Sequence, residues 1–292
     1  MKTSRDALMA ASKNPRHDAF RRFMKDIPAV VSAVVLISIV LCCLIMPIFY
    51  TQSPTKIHVD LVKSGPVPGH PMGMDSMGRD FLARMLHGGR VTLRLAFSAV
   101  LYAAVIGTVL GILSGYFGGL FDMIVMRITD ALAAIPTILL ITVIECALGW
   151  GQGYFRYAMA LSFLPPFIKV LRASVMEIMG SEYIEAARAL GVRNFGIIRR
   201  HVLRNVLPPL IVQLSNTAAE SFTLCTIVGY LGIGVNPPTP EWGRLVQGNF
   251  NFFRNVTWAS IAPGLTIIVM VLCLNLIGNG LRDALDPSAN HL

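Results

Sequence analysis

Three long runs of the chain contain no Asp, Glu, Lys or Arg: residues 27–50, 95–121 and 256–281. Each exceeds the roughly 20 apolar residues that carry an α-helix across a bilayer, so each predicts a membrane-crossing helix. Less uniform apolar tracts predict three more. One covers residues 122–148 and contains Pro136; one is centred on residues 157–168 and contains Pro165 and Pro166; one covers residues 207–230. The second of these reaches a workable length once Arg156 and Lys169 stretch their charged ends toward the interfaces. The pattern as a whole predicts an all-α membrane protein with six transmembrane helices. It divides into a basic N-terminal segment (1–26), a first helix (27–50), a polar loop (51–90), a five-helix core (91–281) with a polar insertion at 172–206, and a short tail (282–292).

Within the second run, Ala99, Ala103, Gly107, Gly111 and Gly115 recur at every fourth position. They share one helix face, which predicts close approach by another backbone. The YFGGL string at 116–120 predicts a tight turn into the third helix. There Arg127 stands three residues before Asp130, a spacing that predicts an ion pair at the membrane surface. The first polar loop carries His70, Asp75, Arg79 and Asp80 among glycines and prolines. Capping, turn formation and an Asp80–Arg84 helical pair explain them more simply than a metal site, because the H-x4-D-x4-D spacing matches neither a zinc nor a calcium pattern. Residues 15–26 mix Arg21, Arg22 and Lys25 with Phe20, Phe23 and Met24, as in a basic helix lying on the inner leaflet.

Composition agrees with a membrane location. Of the 292 residues, 54% are hydrophobic and 14% charged, where soluble domains carry about 25% charged residues. The net charge of +9 does not point to nucleic acid, because seven of the 25 Lys+Arg precede residue 28 and seven more lie in residues 169–206, beside apolar runs. Six helices put both ends on one side. With the N-terminus inside, the inner segments hold fourteen basic residues and the outer loops seven, which places both termini in the cytoplasm. Cys42, Cys43, Cys146, Cys225 and Cys273 lie in or beside apolar tracts without CxxC spacing, so neither a disulfide framework nor a zinc site is predicted. The first run is too long for a cleaved signal and lacks an A-x-A site, so it stays as an anchor. No G-x-x-x-x-G-K-[ST] run occurs, nor any Gly-Lys pair, so the chain cannot build an ATP-binding phosphate loop of its own.

The polar insertion is the most informative stretch. Ser181 is placed to cap a helix whose first turn holds Glu182 and Glu185, which suit its positive end. Ala186, Ala187 and Ala189 give a smooth surface, and Gly191 allows the chain to stop and turn. A second helix from Phe195 to about Val206 carries Arg199, Arg200, His201 and Arg204. Glu185-Ala186-Ala187, three residues, then Gly191 resembles the EAA signature of permease subunits of bacterial ABC importers, and EYIEAARALGV is close to its form in the peptide-transport group. HPMGMDSMGRDFLARMLHGGRVTL (70–93), SGYFGGLFDMIVMRITDALAAIPTILL (114–140), LGIGVNPPTPEWG (231–243) and NLIGNGLRDALDP (275–287) resemble segments of the C-type permease of dipeptide and oligopeptide importers, in the same order.

The resemblance implies a type I ABC importer permease fold with a cytoplasmic coupling helix, in a bacterial inner membrane. It implies that Glu182, Glu185, Ala186, Ala187, Ala189, Leu190 and Gly191 contact an ATPase subunit, and that Ala103, Gly107, Gly111 and Gly115 pack helices. Two ATP-binding subunits, a homologous permease and an extracytoplasmic substrate-binding protein are the implied partners, with no cofactor. Glu241 and Trp242, in the second outer loop, are candidates for touching that binding protein. Two positions depart from the family pattern: Arg204 replaces a proline, which predicts a straighter entry to the fifth helix, and Cys225 stands where some oligopeptide permeases carry Glu. Nickel, glutathione or another small solute is an alternative cargo. An ion-coupled transporter using Glu220, Asp130 or Glu145 is a second alternative, and a membrane enzyme built on His70, Asp75 and Asp80 a third.

Overall fold

The computed structural model describes residues 20–62, 64–149, 151–250 and 257–285. Nine helices of eight or more residues order the described chain: α1 Ile27–Phe49, α2 Phe81–Phe117, α3 Gly119–Ala133, α4 Thr137–Leu148, α5 Gln152–Met179, α6 Glu182–Ala189, α7 Leu207–Tyr230, α8 Trp242–Phe250 and α9 Thr257–Leu285. Strand pairing among these residues is limited to isolated bridges, such as Ile57 with Arg79 in the first loop.

Local chemistry explains the helix limits. Asp26 caps α1 by accepting from the Ala29 N–H at 3.2 Å, and Pro28 sits in the first turn, where its missing N–H removes no hydrogen bond. Pro47, near the end of α1, cannot donate to the Cys43 carbonyl one turn back. The Arg90 Nε of α2 donates to that carbonyl at 2.8 Å, and its guanidinium also reaches the Leu44 carbonyl. Asp80 caps α2 through the Ala83 N–H at 2.6 Å. Gly118 and Gly119, with φ of +62° and +60°, make the turn into α3.

With 37 residues, α2 runs about 55 Å at 1.5 Å per residue. Its main neighbour is α5, and the alanine–glycine stripe lies between them. An ideal Cβ on Gly107 would stand 2.5 Å from the Phe167 Cβ; one on Gly111 would stand 2.9 Å from the Ile168 carbonyl oxygen; one on Gly115 would stand 2.8 Å from the Arg172 carbonyl oxygen. Ala103 is fully buried in the same seam. The main core joins this seam to α7, α8 and α9 through Phe163, Phe167, Phe222, Trp242 and Met270.

Several expectations need correction. The third apolar tract is two helices, α3 and α4, bent by 95°, because Pro136 cannot continue a helix and its ring disfavours helical backbone at the residue before it. Arg127 does not pair with Asp130; Lys169 of α5 does, at 2.8 Å. Arg84 pairs with Asp75 at 3.2 Å rather than with Asp80. The fourth helix runs well past Lys169 and Arg172 to Met179, so the polar insertion begins as a continuation of α5. The loop after residue 230 contains α8, which the Gly and Pro content concealed. By length and apolarity α1, α2, α5 and α9 qualify as membrane spans among the described residues, and α3 with α4 qualifies as one broken span. The 24-residue α7 is long enough, but Gln213, Asn216, Thr217 and Glu220 make it more polar than these. The expected basic helix at 15–26 falls partly outside the described residues.

Candidate coupling site

The elbow between α5 and α7 begins where α5 ends at Gly180. Ser181 holds the N-cap position of α6, but its hydroxyl donates back to the Ile178 carbonyl instead of capping the new helix. The N-terminus of α6 thus has no side-chain cap, and Glu182 and Glu185 in its first turn bring charge that favours that end of the helix. At the other end the Gly191 N–H donates to the Arg188 carbonyl at 2.9 Å and the Val192 N–H donates to the Ala187 carbonyl at 3.1 Å. This pair of bonds is a Schellman closure, and it needs the left-handed conformation that Gly191 adopts at φ +78°.

Beyond Val192 the chain enters a short α-helix, Asn194–Ile197, then a π-helical turn, Ile198–Val202, then Leu203–Asn205. The sequence predicted one regular helix here. The wider turn contains Arg199, Arg200 and His201, and such turns often occur at functional positions. Val206 breaks the path before Pro208 and Pro209, so the entry to α7 is stepped rather than straightened by Arg204.

A small core fastens the elbow to the body. Ile184, Ile197, Val202 and Val206 are buried against Ile112 and Tyr116 of α2 and Leu171 and Val175 of α5. The Tyr116 hydroxyl donates to the Asn194 side chain at 3.0 Å, and Asn205 donates to the Tyr183 hydroxyl at 3.2 Å. Just above, Arg172 of α5 grips Asp122 of α3 with two nitrogens, at 2.5 and 2.6 Å. The sequence hid this pair because its members are 50 residues apart.

The candidate residues divide by face. Glu182, Glu185, Ala186, Ala189, Leu190 and Gly191 are exposed, and Leu190 is 84% accessible. Ala187 points the other way, beside Ile184, so its side chain is withdrawn from an outer contact. Phe195, which sequence reasoning passed over, is 73% accessible on the same elbow. An apolar tip beside a flat alanine face and two carboxylates can seat in a partner's groove.

At the opposite end of α2, Glu241 and Trp242, the candidates for touching the binding protein, are both buried. Glu241 precedes α8 and accepts from the Gly243 and Arg244 N–H groups, each at 2.9 Å, while also meeting the Thr92 hydroxyl at 3.0 Å. The Trp242 ring packs on Phe222 and its Nε1 donates to the Met85 carbonyl at 2.8 Å. Burial pushes the Glu241 carboxyl upward, opposed by those two amides and Thr92. The first loop is tied down nearby: Asp75 accepts from the N–H groups of Met77 and Arg79 and pairs with the side chains of Arg79 and Arg84. Asp80 contacts His70 at 2.6 Å and accepts from Tyr50 at 2.7 Å. Of the three residues considered for an enzyme site, His70 and Asp80 touch while Asp75 is taken up by Arg79 and Arg84, and no metal-binding group of three or more His, Cys, Asp and Glu occurs among the described residues.

The carboxylates considered for ion coupling are scattered as well. Asp130 is held by Lys169, Glu145 is buried near the end of α4, and Glu220 is exposed on α7.

Comparison with known proteins places this architecture. Residues 107–291 match the family described as binding-protein-dependent transport system inner membrane component, and residues 14–66 match the N-terminal TM domain of oligopeptide transport permease C. A dipeptide transport system permease protein of Alkalihalophilus pseudofirmus is 35% identical over 94% of this chain and 90% of its own length. A glutathione transport system permease protein of Pectobacterium atrosepticum is 34% identical over 94% of this chain and 92% of its own. In the solved inward-facing MetNI methionine ABC transporter, one chain superposes with a TM-score of 0.57 at 19% identity, covering 70% of this chain and 96% of that one. A long buried helix seam, an elbow pinned beneath it and these matches together identify the chain as a member of the family of inner membrane components of binding-protein-dependent transport systems, with the permease fold of a type I ABC importer.

Proposed function

We propose that this chain is one of two paired permease subunits of an ATP-driven importer and that it carries di- or oligopeptides inward. ATP is bound and hydrolysed on two separate subunits, and an extracytoplasmic binding protein delivers the cargo. In this reading six segments cross the membrane, the α3–α4 pair counting as one and α7 as another, with residues 1–26 and 282–292 in the cytoplasm. The single observation that supports coupling most directly is the elbow: its outer face is exposed and its inner face is welded to α2 and α5. A push on Leu190 and Glu185 is therefore transmitted to two long helices instead of being lost in a loose loop. The peptide cargo is supported by the printed functions of the relatives.

The test is cross-linking from Leu190→Cys in cells that are accumulating a dipeptide. Capture of an ATP-binding subunit is the expected result. Sustained uptake with no such capture sinks the reading. Gly191→Asp, which forces a side chain into a left-handed turn, is expected to insert normally and to abolish most uptake.

A further inference from the structure

Along α7, Asn216, Glu220, Thr223 and Ile227 follow one another at helical spacings of four, three and four, so they lie on one face. The opposite face, with Thr217, Ser221, Phe222 and Cys225, is buried against the rest of the chain. The exposed face lines a cavity of about 320 Å³ that Asn275 of α9 helps to close. Glu220 makes no hydrogen bond or ion pair within the described residues. The cations Lys169 and Arg172 are occupied elsewhere, by Asp130 and Asp122.

A carboxylate halfway along a membrane helix is costly against lipid, by a few kcal/mol or more on insertion scales. Within one turn it has the Asn216 amide and the Thr223 hydroxyl beside the apolar Ala219 and Leu224, and α9 supplies a second amide, Asn275, across the cavity. This face is therefore built for water or polar cargo. An unpartnered negative charge in such a cleft selects for a cation, and every peptide with a free N-terminus brings an ammonium group. We propose that the face of α7 bearing Asn216, Glu220 and Thr223, with Asn275, is this chain's wall of the solute path, and that Glu220 is the transient counter-ion for the peptide's ammonium groups, that of a lysine side chain included. The proposal rests on the peptide reading given above.

It is tested in vesicles containing the whole complex with its ATP-binding subunits, supplied with ATP and loaded binding protein. Uptake of a lysine-containing dipeptide is compared with that of a glutamate-containing one in Glu220→Asp, Glu220→Gln and Glu220→Lys. An ion pair in a wet path is a matter of about fivefold in rate. The expected order for the lysine peptide is parent, Asp, Gln, Lys, with Gln lower than the parent by about that factor, and a smaller loss for the glutamate peptide. Separately, cysteines placed at 216, 220 and 223 in a variant freed of native cysteines are expected to react with a membrane-impermeant methanethiosulfonate and to be shielded by peptide.

Equal losses for both peptides, or none for either, overturn the counter-ion role, and unreactive cysteines at all three positions overturn the path. If Glu220→Gln no longer co-purifies with its partner chains, the carboxylate holds a neighbouring subunit and the proposal falls. Failure of the parent complex to bind ATPase subunits or to carry peptide strikes instead at the importer reading.

Discussion

The Thr92 hydroxyl shows how much a single buried proton decides. It receives the Trp242 N–H at 3.1 Å and lies 3.0 Å from both the Gly88 carbonyl and the Glu241 carboxyl. One hydroxyl has one proton to give. The Thr92 proton is shared between the Gly88 carbonyl and the Glu241 carboxyl, which burial raises. A glutamine here is the same shape but fails. The Gly243 and Arg244 N–H groups each need an oxygen, and an amide has only one, so Glu241→Gln is expected to destabilise by about 1–3 kcal/mol. Thermal unfolding of the detergent-purified protein measures this. Because the folded state holds the proton more tightly than the unfolded chain, parental stability should fall as pH rises above the ordinary glutamate range, and the glutamine variant should lack that slope.

At the scale of the helix, the α2–α5 seam is the contact on which the rest is assembled. Gly111→Ala places a methyl 2.9 Å from a backbone oxygen and from the Leu171 Cβ, neither of which can swing aside, and overpacking of this kind costs about 1–3 kcal/mol. Gly153→Ala meets open space and is the matched control in the same unfolding measurement. This seam was legible in advance, since a period of four in small residues has only one helical reading. So was the Gly191 stop. The break at Pro136 was not legible, because proline is tolerated inside α1 and α5 and the sequence does not say which prolines a neighbouring helix will accommodate. The helix α8 was masked by its glycines, although its burial under α2 rests on Trp242. Ion pairs failed for a shared reason. Short spacings suggested Arg127 for Asp130 and Asp80 for Arg84, whereas Asp130 and Asp122 take partners from α5, which packing brings near, and Arg84 turns to Asp75 of the loop.

The whole molecule consists of a pinned first loop, a broad middle core and a small lower core at the elbow, with α1 added along one side. Where α1 meets α9, a Cβ on Gly280 would stand 2.5 Å from the Ala29 Cβ. Gly280→Leu is expected to push α1 away while sparing the elbow, which has its own core. Cross-linking between the native Cys273 and a cysteine at position 32, whose side chains meet across this seam, should then weaken severalfold, while capture of the ATPase subunit from position 190 persists. The inner membrane component family matched from residue 107 onward and the separate match over residues 14–66 agree with such a division.

One unbroken helix, α2, joins Asp80 at the pinned loop to Tyr116 at the elbow. A rod with a continuous hydrogen-bond ladder hardly shortens, so displacement at its foot cannot be absorbed along its length and must emerge at its head as tilt. A push on the loop and a push on the elbow would thus be felt through the same angle, read from opposite ends.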